Sequence, residues 1–369
     1  MAQVTTPRSN SNASTNGRLA DALSNETLLA WLRSMQLIRE FETRTQQAYQ
    51  QAKIGGFCHI YSGQEACAVG TIGCLNDKDP VITAYRDHGH ALARGMSARA
   101  CMAEMYGKAD GCAKGKGGSM HMFDKPNHLY GGHGIVGAQT PLGAGLAFAT
   151  RYEWEVLGKG DKQVCLCYLG DGAVDQGAFH EALNLSALFG LPVIYIIENN
   201  GYSMGTAIGR HTANHENLID RGKSYGIHAV QIDGLDIRDV HDQFQPVVDM
   251  CREEQKPAFV DLLTYRYQGH SMSDPQKYRS KDEVEQYKGK DSIAALLDHL
   301  MNDRQAIDED AWKAMRGEIR DEVKDAVEFA ENAEAPDVDA ELYSDVFVFP
   351  QPNLSPTRDY IHGSKNPLL

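Results

Sequence analysis

The chain has 369 residues, long enough to enclose a large hydrophobic core, and its 36 basic and 50 acidic residues give a net charge of −14. This acidic balance argues against a nucleic-acid-binding surface, which needs basic patches. No apolar run approaches the length of about 18 residues that a membrane-spanning helix requires. The eight cysteines form no Cys-x-x-Cys pair and no zinc-ligand spacing, which favours a reducing compartment.

Residues 1–26 are rich in Ser, Asn and Thr, and we predict that they form a disordered N-terminal arm. This segment has no apolar stretch of the kind found in secretory signals. It contains only two arginines, Arg8 and Arg18, whereas mitochondrial presequences are amphipathic and rich in arginine. We therefore expect a bacterial cytoplasmic protein, and we regard the mitochondrial matrix as the less favoured location.

The first structured part of the chain is predicted to be helical. One helix should run from Asn25 to about Gln51 and a second should begin near Gln64, before a short strand at Pro80–Ala84. From Met105 to Gln139 the chain is rich in glycine and has little periodicity. A loop of that length inside a compact domain is usually functional. A further helix is predicted from Pro141 to about Leu157.

A strand–helix–strand unit comes next. The apolar runs Gln163–Leu169 and Val193–Ile197 are typical of buried strands, and Asp175–Phe189 between them is predicted to be a helix that ends before Gly190. Short joints make this unit a right-handed crossover between two parallel strands. The residues that follow each strand should therefore emerge at the same edge of the sheet.

The remaining segments complete one domain. Strands are predicted within 225–234 and 257–265, residues 281–333 are charged and helical, and residues 336–369 are expected to form a C-terminal tail. Alternation of strands and helices through residues 27–335 implies a single α/β domain. Its sheet should be open and mostly parallel, with helices on both faces.

Two polar motifs lie where the strands of the crossover end. Gly170-Asp171-Gly172 follows the first strand, and Asn199-Asn200 follows the second after 26 intervening residues. Magnesium usually takes one or two carboxylates and fills its octahedron with phosphate and water. Asp171, Asn200 and a loop carbonyl at Tyr202 can supply such oxygens. Each motif alone is common in tight turns, but the pair at this spacing favours a magnesium-bound diphosphate.

The spacing of these motifs resembles the fingerprint of thiamine-diphosphate enzymes, and the resemblance extends from about Leu29 to about Val348. The other segments that carry it are Gly56–Ala66, Tyr85–Gly89, Gly111–Met122, Gly134–Gln139 and Tyr265–Pro275. Together they resemble the alpha subunits of the pyruvate dehydrogenase component of 2-oxo acid dehydrogenase complexes. The resemblance implies the thiamine-diphosphate-binding fold, with thiamine diphosphate and Mg²⁺ as cofactors.

The same resemblance implies which residues bind the cofactor. Tyr85 and Arg86 are expected to contact phosphate, and Arg offers a forked set of donors for this purpose. Gly134 and Val136 are expected to hold the aminopyrimidine ring, Gly134 through its backbone; without the resemblance this segment would be taken as an ordinary turn. The residues expected to hold the diphosphate are Asp171, Gly172, Ala173, Asn200 and Tyr202, with Asp171, Asn200 and Tyr202 as ligands of the metal.

Two histidines are implied to act in the chemistry. By resemblance, His270 reaches the diphosphate and lines the entrance to the site. His59 matches a histidine near the reacting centre and is expected to assist proton transfer or transfer of the acyl group to lipoyl. Ser271 matches a serine that kinases phosphorylate in mitochondrial relatives. Because the following Gln276–Arg279 is one residue shorter than in those relatives and lacks their second serine, regulation by a kinase is not expected.

The chain lacks one component that thiamine chemistry needs, an acid beside the pyrimidine ring. Glu65 lies at a predicted helix start, and we do not expect it to serve. The resemblance implies that the acid comes from a separate beta subunit, in an α2β2 heterotetramer. It also implies that pyruvate is decarboxylated and that its acetyl group passes to the lipoyl domain of dihydrolipoyl acetyltransferase.

Three alternatives compete with this interpretation. Gly269–Pro275 favours pyruvate, but the alpha subunit of a branched-chain 2-oxo acid or acetoin dehydrogenase is the nearest alternative. A non-catalytic module that binds a diphosphate through Asp171 and Asn200 is the second. A nicotinamide oxidoreductase is disfavoured because no Gly-x-Gly-x-x-Gly joins a strand to a helix in this sequence.

Overall fold

The computed structural model describes residues 18–342, 344 and 345. Its main sheet has six strands in the order β2-β1-β3-β4-β8-β7, and all neighbouring strands are parallel. The strands are β1 (Val81–Ala84), β2 (Leu129–His133), β3 (Cys165–Gly170), β4 (Val193–Asn199), β7 (His228–Asp233) and β8 (Ala258–Leu263). A separate antiparallel hairpin is formed by β5 (Tyr202–Ser203) and β6 (Thr206–Ala207).

Helices connect these strands. Those in the first half of the described chain are α1 (Asn25–Gln50), α2 (Glu65–Ile72), α3 (His88–Ala93), α4 (Ala98–Met105), α5 (Gln139–Glu155) and α6 (Gly177–Phe189). Those in the second half are α7 (Ile219–Lys223), α8 (Ile237–Glu254), α9 (Lys281–Lys288), α10 (Ser292–Asp298), α11 (Glu309–Asn332) and α12 (Val338–Glu341). A π-helical turn at His299–Asp303 follows α10.

The sheet is buried on both faces, as is usual for parallel strands. Along β3, Leu166 and Tyr168 belong to one hydrophobic core, whereas Cys165, Cys167 and Leu169 belong to the other. The first core is closed by α1–α4, α8, α10 and α11, and the second by α5, α6 and α7. The predicted α/β fold with an open parallel sheet and helices on both faces is therefore confirmed.

Local signals explain several element boundaries. The Ser24 hydroxyl accepts a hydrogen bond from the Thr27 N–H at 3.1 Å and so caps the start of α1. Gly190 ends α6 in the left-handed conformation, with φ of 60°, which glycine adopts without strain. The predicted strand–helix–strand crossover is present as β3-α6-β4, and β3 pairs along its whole length with β4.

One prediction about secondary structure needs correction. The glycine-rich segment from Met105 to Gln139 is not wholly a loop, because it contains β2, which pairs with β1 at the edge of the sheet. Strand β2 has no alternating apolar pattern of its own and depends on its pairing with β1. The charged region 281–333 is mostly helical, as predicted, and it is divided into α9, α10, a π-helical turn and α11.

The ends of the described chain pack on the domain. Leu19–Ala22 form a 3₁₀ helix, and the Ala20 N–H donates to the Asp242 carboxylate at 2.6 Å. The last part of the predicted arm of residues 1–26 is thus ordered, whereas residues 1–17 lie outside the described residues, as does most of the predicted tail of residues 336–369. No helix in the described range is both long enough and apolar enough to cross a membrane.

Candidate active site

The carboxyl ends of β1, β3 and β4 meet at one edge of the sheet. Gly170 at the end of β3 is in register with Glu198 of β4, so Asp171 and Asn200 follow neighbouring strand ends. Strand β1 pairs with the other side of β3, which brings Tyr85 and Arg86 to the same edge. Ligands of open α/β sheets bind at this edge.

Asp171 is a buried carboxylate that forms no salt bridge within the described part of the chain. It lies in the 3₁₀ turn that follows β3, and its Oδ2 has no hydrogen-bond partner within the described part of the chain. Burial raises the pKa of Asp171 to about 7, while the positive charge of Arg266 acts in the opposite direction. A buried, unpaired carboxylate is unfavourable, and a cation bound at this oxygen would remove that cost.

Asn200 is held with its amide at the same edge. Its Nδ2 donates to Gln64 Oε1 at 3.3 Å, and its Oδ1 accepts from the Tyr202 N–H at 3.3 Å. The Tyr202 hydroxyl donates to Glu283 at 2.8 Å, so the side chain of Tyr202 is already engaged. Asn199 has a different role, because its side chain donates to buried Asp261 at 3.0 Å.

Gly172 and Ala173 shape the turn after Asp171. A Cβ on Gly172 would lie 2.2 Å from the Ser203 hydroxyl oxygen, which is closer than two such atoms can approach. The hairpin of β5 and β6 therefore packs directly on the turn, and only glycine fits at this position. Ala173 belongs to the same turn and is buried. This close packing fits a loop that wraps around the oxygens of a small anion and its cation.

Arg86 is buried and holds two backbone segments together. Its Nη1 donates to the Ile60 carbonyl at 2.8 Å and its Nη2 to the His270 carbonyl at 2.9 Å. The guanidinium thus joins the segment before α2 to the loop after β8. In this arrangement Arg86 positions both histidines of the predicted site, in addition to placing a positive charge at the sheet edge.

The rings of His59, Tyr85 and His270 form one cluster. The ring centroids of His59 and Tyr85 are 4.6 Å apart, and those of Tyr85 and His270 are 5.4 Å apart. Burial, together with the positive charge of Arg86, lowers the pKa of His59 to about 2 and that of His270 to about 4. The buried His59 Nδ1 has no hydrogen-bond partner among the described residues, so it is free to form a hydrogen bond.

The loop that carries His270 is organised by one carboxylate. Asp274 accepts hydrogen bonds from the His270 N–H at 2.6 Å, the Gln276 N–H at 2.8 Å and the Tyr278 hydroxyl at 2.6 Å. Ser271 is buried in this loop, with its hydroxyl oxygen 3.0 Å from that of Ser273.

The segment from Gly134 to Gly137 lies beside the turn after β3. A Cβ on Gly137 would lie 3.0 Å from the Gln176 side chain and 3.9 Å from the Ala173 carbonyl. In contrast, Ile135 is 77% exposed and Val136 is 42% exposed. Two exposed aliphatic side chains at the mouth of a polar site form an apolar surface for a planar ring or for a partner chain.

Arg266 is a site residue that the sequence analysis missed. It is fully buried, its guanidinium lies within 5.8 Å of the Tyr202 ring and 5.6 Å of the Tyr278 ring, and its Nη2 donates to the Met204 carbonyl at 2.7 Å. It therefore supports the β5–β6 hairpin next to Asp171. The sequence offered one indication of a role for Arg266, namely its position in the Tyr265–Pro275 segment that carries the family resemblance. The residues around Arg266 do not distinguish it from a surface arginine.

Glu65 has a structural role. Its carboxylate accepts from Arg39 Nη2 at 3.0 Å and from the Gly63 N–H at 2.9 Å. Arg39 also pairs with Asp291 at 2.8 Å. Glu65 is thus engaged in an ion-pair network.

The metal ligands predicted here form an incomplete set on their own. Within residues 18–342 and 344–345, no group of three or more His, Cys, Asp and Glu side chains could hold a metal ion. The edge offers one carboxylate, from Asp171, together with an amide and a backbone carbonyl. This donor set suits Mg²⁺ that takes its remaining ligands from phosphate oxygens and water, so the residues present fit a diphosphate with magnesium.

The chain is similar to proteins of one known family. Residues 33–339 match the model of the family described as the dehydrogenase E1 component. The chain is 49% identical over 332 residues to the pyruvate dehydrogenase E1 component subunit alpha of Rhizobium meliloti, covering 90% of this chain and 93% of the relative. It is 46% identical to the subunit of the same name from Rickettsia prowazekii, covering 88% and 96%.

A mitochondrial relative is also similar. The somatic form of the pyruvate dehydrogenase E1 component subunit alpha of Bos taurus is 45% identical over 310 residues, covering 84% of this chain and 76% of that protein.

Proposed function

The chain belongs to the dehydrogenase E1 component family, and we propose that it is the alpha subunit of a pyruvate dehydrogenase in the bacterial cytoplasm. In this proposal it acts in the oxidative decarboxylation of pyruvate and in transfer of the acetyl group to the lipoyl domain of an acetyltransferase. The observation that carries the proposal is the buried Asp171 carboxylate, whose Oδ2 has no partner among the described residues at the sheet edge.

Asp171, Asn200 and the Tyr202 carbonyl would hold Mg²⁺, and the tight turn at Gly172 and Ala173 would enclose the diphosphate. The nearby charges support this assignment. Arg266 and Arg86 are both buried, and Arg266 lowers the pKa of Asp171 against the effect of burial. Guanidinium groups offer the forked donors that suit the oxygens of a diphosphate.

Thiamine diphosphate would supply the electron sink for decarboxylation, and the protein would supply position and proton transfer. His59 and His270 are suited to the second task. Both are neutral at pH 7 because burial lowers their pKa values. A neutral imidazole has one nitrogen that donates a hydrogen bond and one that accepts a hydrogen bond. The unpartnered Nδ1 of His59 is the atom we assign to this role.

A beta subunit would complete the site. Thiamine chemistry needs an acid beside the pyrimidine ring, and Glu65 is already paired with Arg39. We propose that the acid is contributed by the beta chain of an α2β2 heterotetramer. The exposed side chains of Ile135 and Val136 support this arrangement, because a ring and a partner chain would cover them.

The test is to purify the chain with its beta subunit and to measure decarboxylation with an artificial electron acceptor. We expect turnover of pyruvate that requires added thiamine diphosphate and Mg²⁺, and we expect Asp171→Ala to abolish both turnover and the thermal stabilisation by these ligands. Asp161→Ala, at an exposed position before β3, is the matched control. A thermal shift by the cofactors that survives Asp171→Ala would overturn the ligand assignment.

The same assay separates the alternatives. A preference for branched-chain 2-oxo acids over pyruvate would retain the chemistry and change the substrate. Cofactor binding without turnover, despite a bound beta subunit, would favour a non-catalytic diphosphate-binding module.

A further inference from the structure

A buried polar network lies directly behind His59. It consists of Glu42 on α1, Ser119 in the 3₁₀ turn Gly118–Met120, and His88, the first residue of α3, and all of these side chains are buried. His88 Nδ1 lies 3.0 and 3.1 Å from the two oxygens of Glu42. His88 Nε2 lies 2.8 Å from the Ser119 hydroxyl and 3.0 Å from the Ser119 carbonyl.

The partners of His88 determine where its protons lie. A carboxylate only accepts hydrogen bonds, so the Nδ1–H donates to Glu42. A carbonyl also only accepts, so the Nε2–H is shared between the carbonyl and the hydroxyl of Ser119. Both ring nitrogens therefore carry a proton. Burial lowers the pKa of His88, but the charge and hydrogen bonds of Glu42 outweigh it, so that the pKa is raised. His88 and Glu42 form a buried ion pair.

The network ends on the backbone around His59. The Ser119 hydroxyl accepts from the His59 N–H at 3.1 Å, and Glu42 Oε1 accepts from the Tyr61 N–H at 2.7 Å. The intervening Ile60 carbonyl accepts from Arg86. Three successive residues are thus held by side chains from distant parts of the chain. This fixes the backbone that presents the His59 ring to Tyr85 and His270.

The loop that delivers Ser119 is itself held by one carboxylate. Glu104 on α4 is buried, and its Oε2 accepts from the N–H groups of Ala113 at 2.7 Å and Gly115 at 2.9 Å. Its Oε1 accepts from those of Gly117 at 2.7 Å and Gly118 at 3.0 Å. The turn that carries Ser119 therefore has little freedom to move away from His88.

We infer that Glu42, His88 and Ser119 form a positioning network that fixes His59 for its role at the reacting centre. This inference rests on the proposed function, because it takes His59 to act in the reaction. The three residues do not touch the reacting atoms. They act through the backbone of residues 59–61, and their removal should change the rate of the chemical step more than the binding of substrate.

The experiment uses the full enzyme with its beta subunit, loaded with thiamine diphosphate and Mg²⁺. Ser119→Ala should lower kcat for pyruvate by about tenfold to a hundredfold, because a small misplacement of a catalytic group has effects of this size. KM should change by less than about twofold, since binding is left intact. Glu42→Gln keeps an oxygen that can accept from the Tyr61 N–H, so it should lower kcat by a smaller factor. This variant replaces Ser119→Ala in the test if Ser119→Ala folds poorly.

A double-mutant cycle tests whether Ser119 acts through His59. In a His59→Ala background, Ser119→Ala should cause no further loss of kcat. Ser186→Ala is the matched control, because it removes another buried hydroxyl, one that lies 2.9 Å from the Tyr195 hydroxyl on the far side of the sheet. If the effects of Ser119→Ala and His59→Ala multiply, Ser119 has only a structural role and the inference is wrong.

Hydrogen–deuterium exchange provides a readout that does not depend on activity. Ser119→Ala should speed exchange in the peptide that contains residues 58–61, and Ser186→Ala should not. Unchanged exchange in Ser119→Ala would overturn the positioning role. If wild-type enzyme turned over no 2-oxo acid, the proposed function would fail, whereas the exchange comparison would still decide whether the network holds this segment.

Discussion

His59 and His270 hold their rings 5.0 Å apart in an edge-on arrangement, although they are separated by most of the domain in sequence. Two imidazolium ions at this distance would repel each other. Burial removes this conflict, because it lowers the pKa values of the two histidines to about 2 and about 4. The pair is therefore neutral at physiological pH, and each ring can form hydrogen bonds with a ligand.

The lowered pKa of His270 predicts a loss of stability in mild acid. Its ordinary pKa is 6.5 and its folded value is about 4, so the unfolded chain binds the proton more tightly. The stabilising contribution is complete above pH 6.5 and falls as the pH decreases towards 4. We expect the midpoint of urea denaturation to decrease less between pH 7 and pH 5 in His270→Gln than in the wild type. His228→Gln, at an exposed position, is the control, and equal slopes in the two variants would contradict this assignment.

Asp171→Asn should stabilise the cofactor-free chain in mild alkali. Burial raises the pKa of Asp171 from 3.8 to about 7, so the stability linked to its protonated form is lost as the pH rises through 7. Removing an uncompensated buried charge should raise the free energy of unfolding at pH 8 by roughly 1–3 kcal/mol. The gain should shrink at pH 5, where wild-type Asp171 is already protonated.

The same substitution should weaken the thermal shift caused by Mg²⁺ and thiamine diphosphate. Melting temperatures at both pH values, with and without these ligands, measure both effects. An Asp171→Asn chain that is less stable than wild type at pH 8 would show that Asp171 has a counterion in the free protein.

Gly172→Ala should disrupt the turn that encloses the diphosphate. The new Cβ would lie 2.2 Å from the Ser203 hydroxyl oxygen, so the hairpin of β5 and β6 would have to shift. We expect the Kd for thiamine diphosphate, measured by calorimetry on the assembled enzyme, to rise at least tenfold, about 1.4 kcal/mol of binding free energy. Gly177→Ala is the control, since a Cβ there would meet no described atom within 4 Å. Equal affinity in the two variants would rule out a packing role for Gly172.

Glu104→Gln should destabilise the fold although it changes few atoms. The carboxylate accepts four backbone hydrogen bonds, two at each oxygen. In Gln an NH₂ group replaces one of these oxygens, so two backbone N–H groups lose their acceptor. Two unsatisfied buried donors should lower the free energy of unfolding by roughly 2–5 kcal/mol. Urea denaturation measures the change. Glu155→Gln, which removes an exposed i,i+4 pair with Arg151, should have little effect; a similar small change at Glu104 would contradict the role proposed for its carboxylate.

The sheet could be predicted where the sequence pattern is strong. Strands β3 and β4 are continuous apolar runs, and helix α6 between them is bounded by Gly190, so the crossover follows from local rules. Strand β2, with the sequence Leu-Tyr-Gly-Gly-His, has no such pattern. It is a strand because β1 offers it an open edge, and such pairing depends on parts of the chain that local rules do not consider.

The predicted site shows the same division. Asp171 and Asn200 could be placed because each directly follows a predicted strand, and parallel strands bring such positions together. The pairing of Glu42 with His88 and Ser119 could not be predicted, because it joins a helix, a helix start and a glycine-rich turn that are far apart in sequence. Arg266 was missed for a similar reason, since its partners Met204 and Tyr278 lie on separate loops.

The position of β1 between two later strands has a consequence for synthesis. Val81 pairs with Leu129 on one side and with Leu166 on the other, so this strand leaves the ribosome before either neighbour exists. Nascent chains that stop short of β3 cannot place Tyr85 next to Asp171. We expect such chains to require protection from chaperones, and the cofactor site to arise only once the centre of the sheet has been translated.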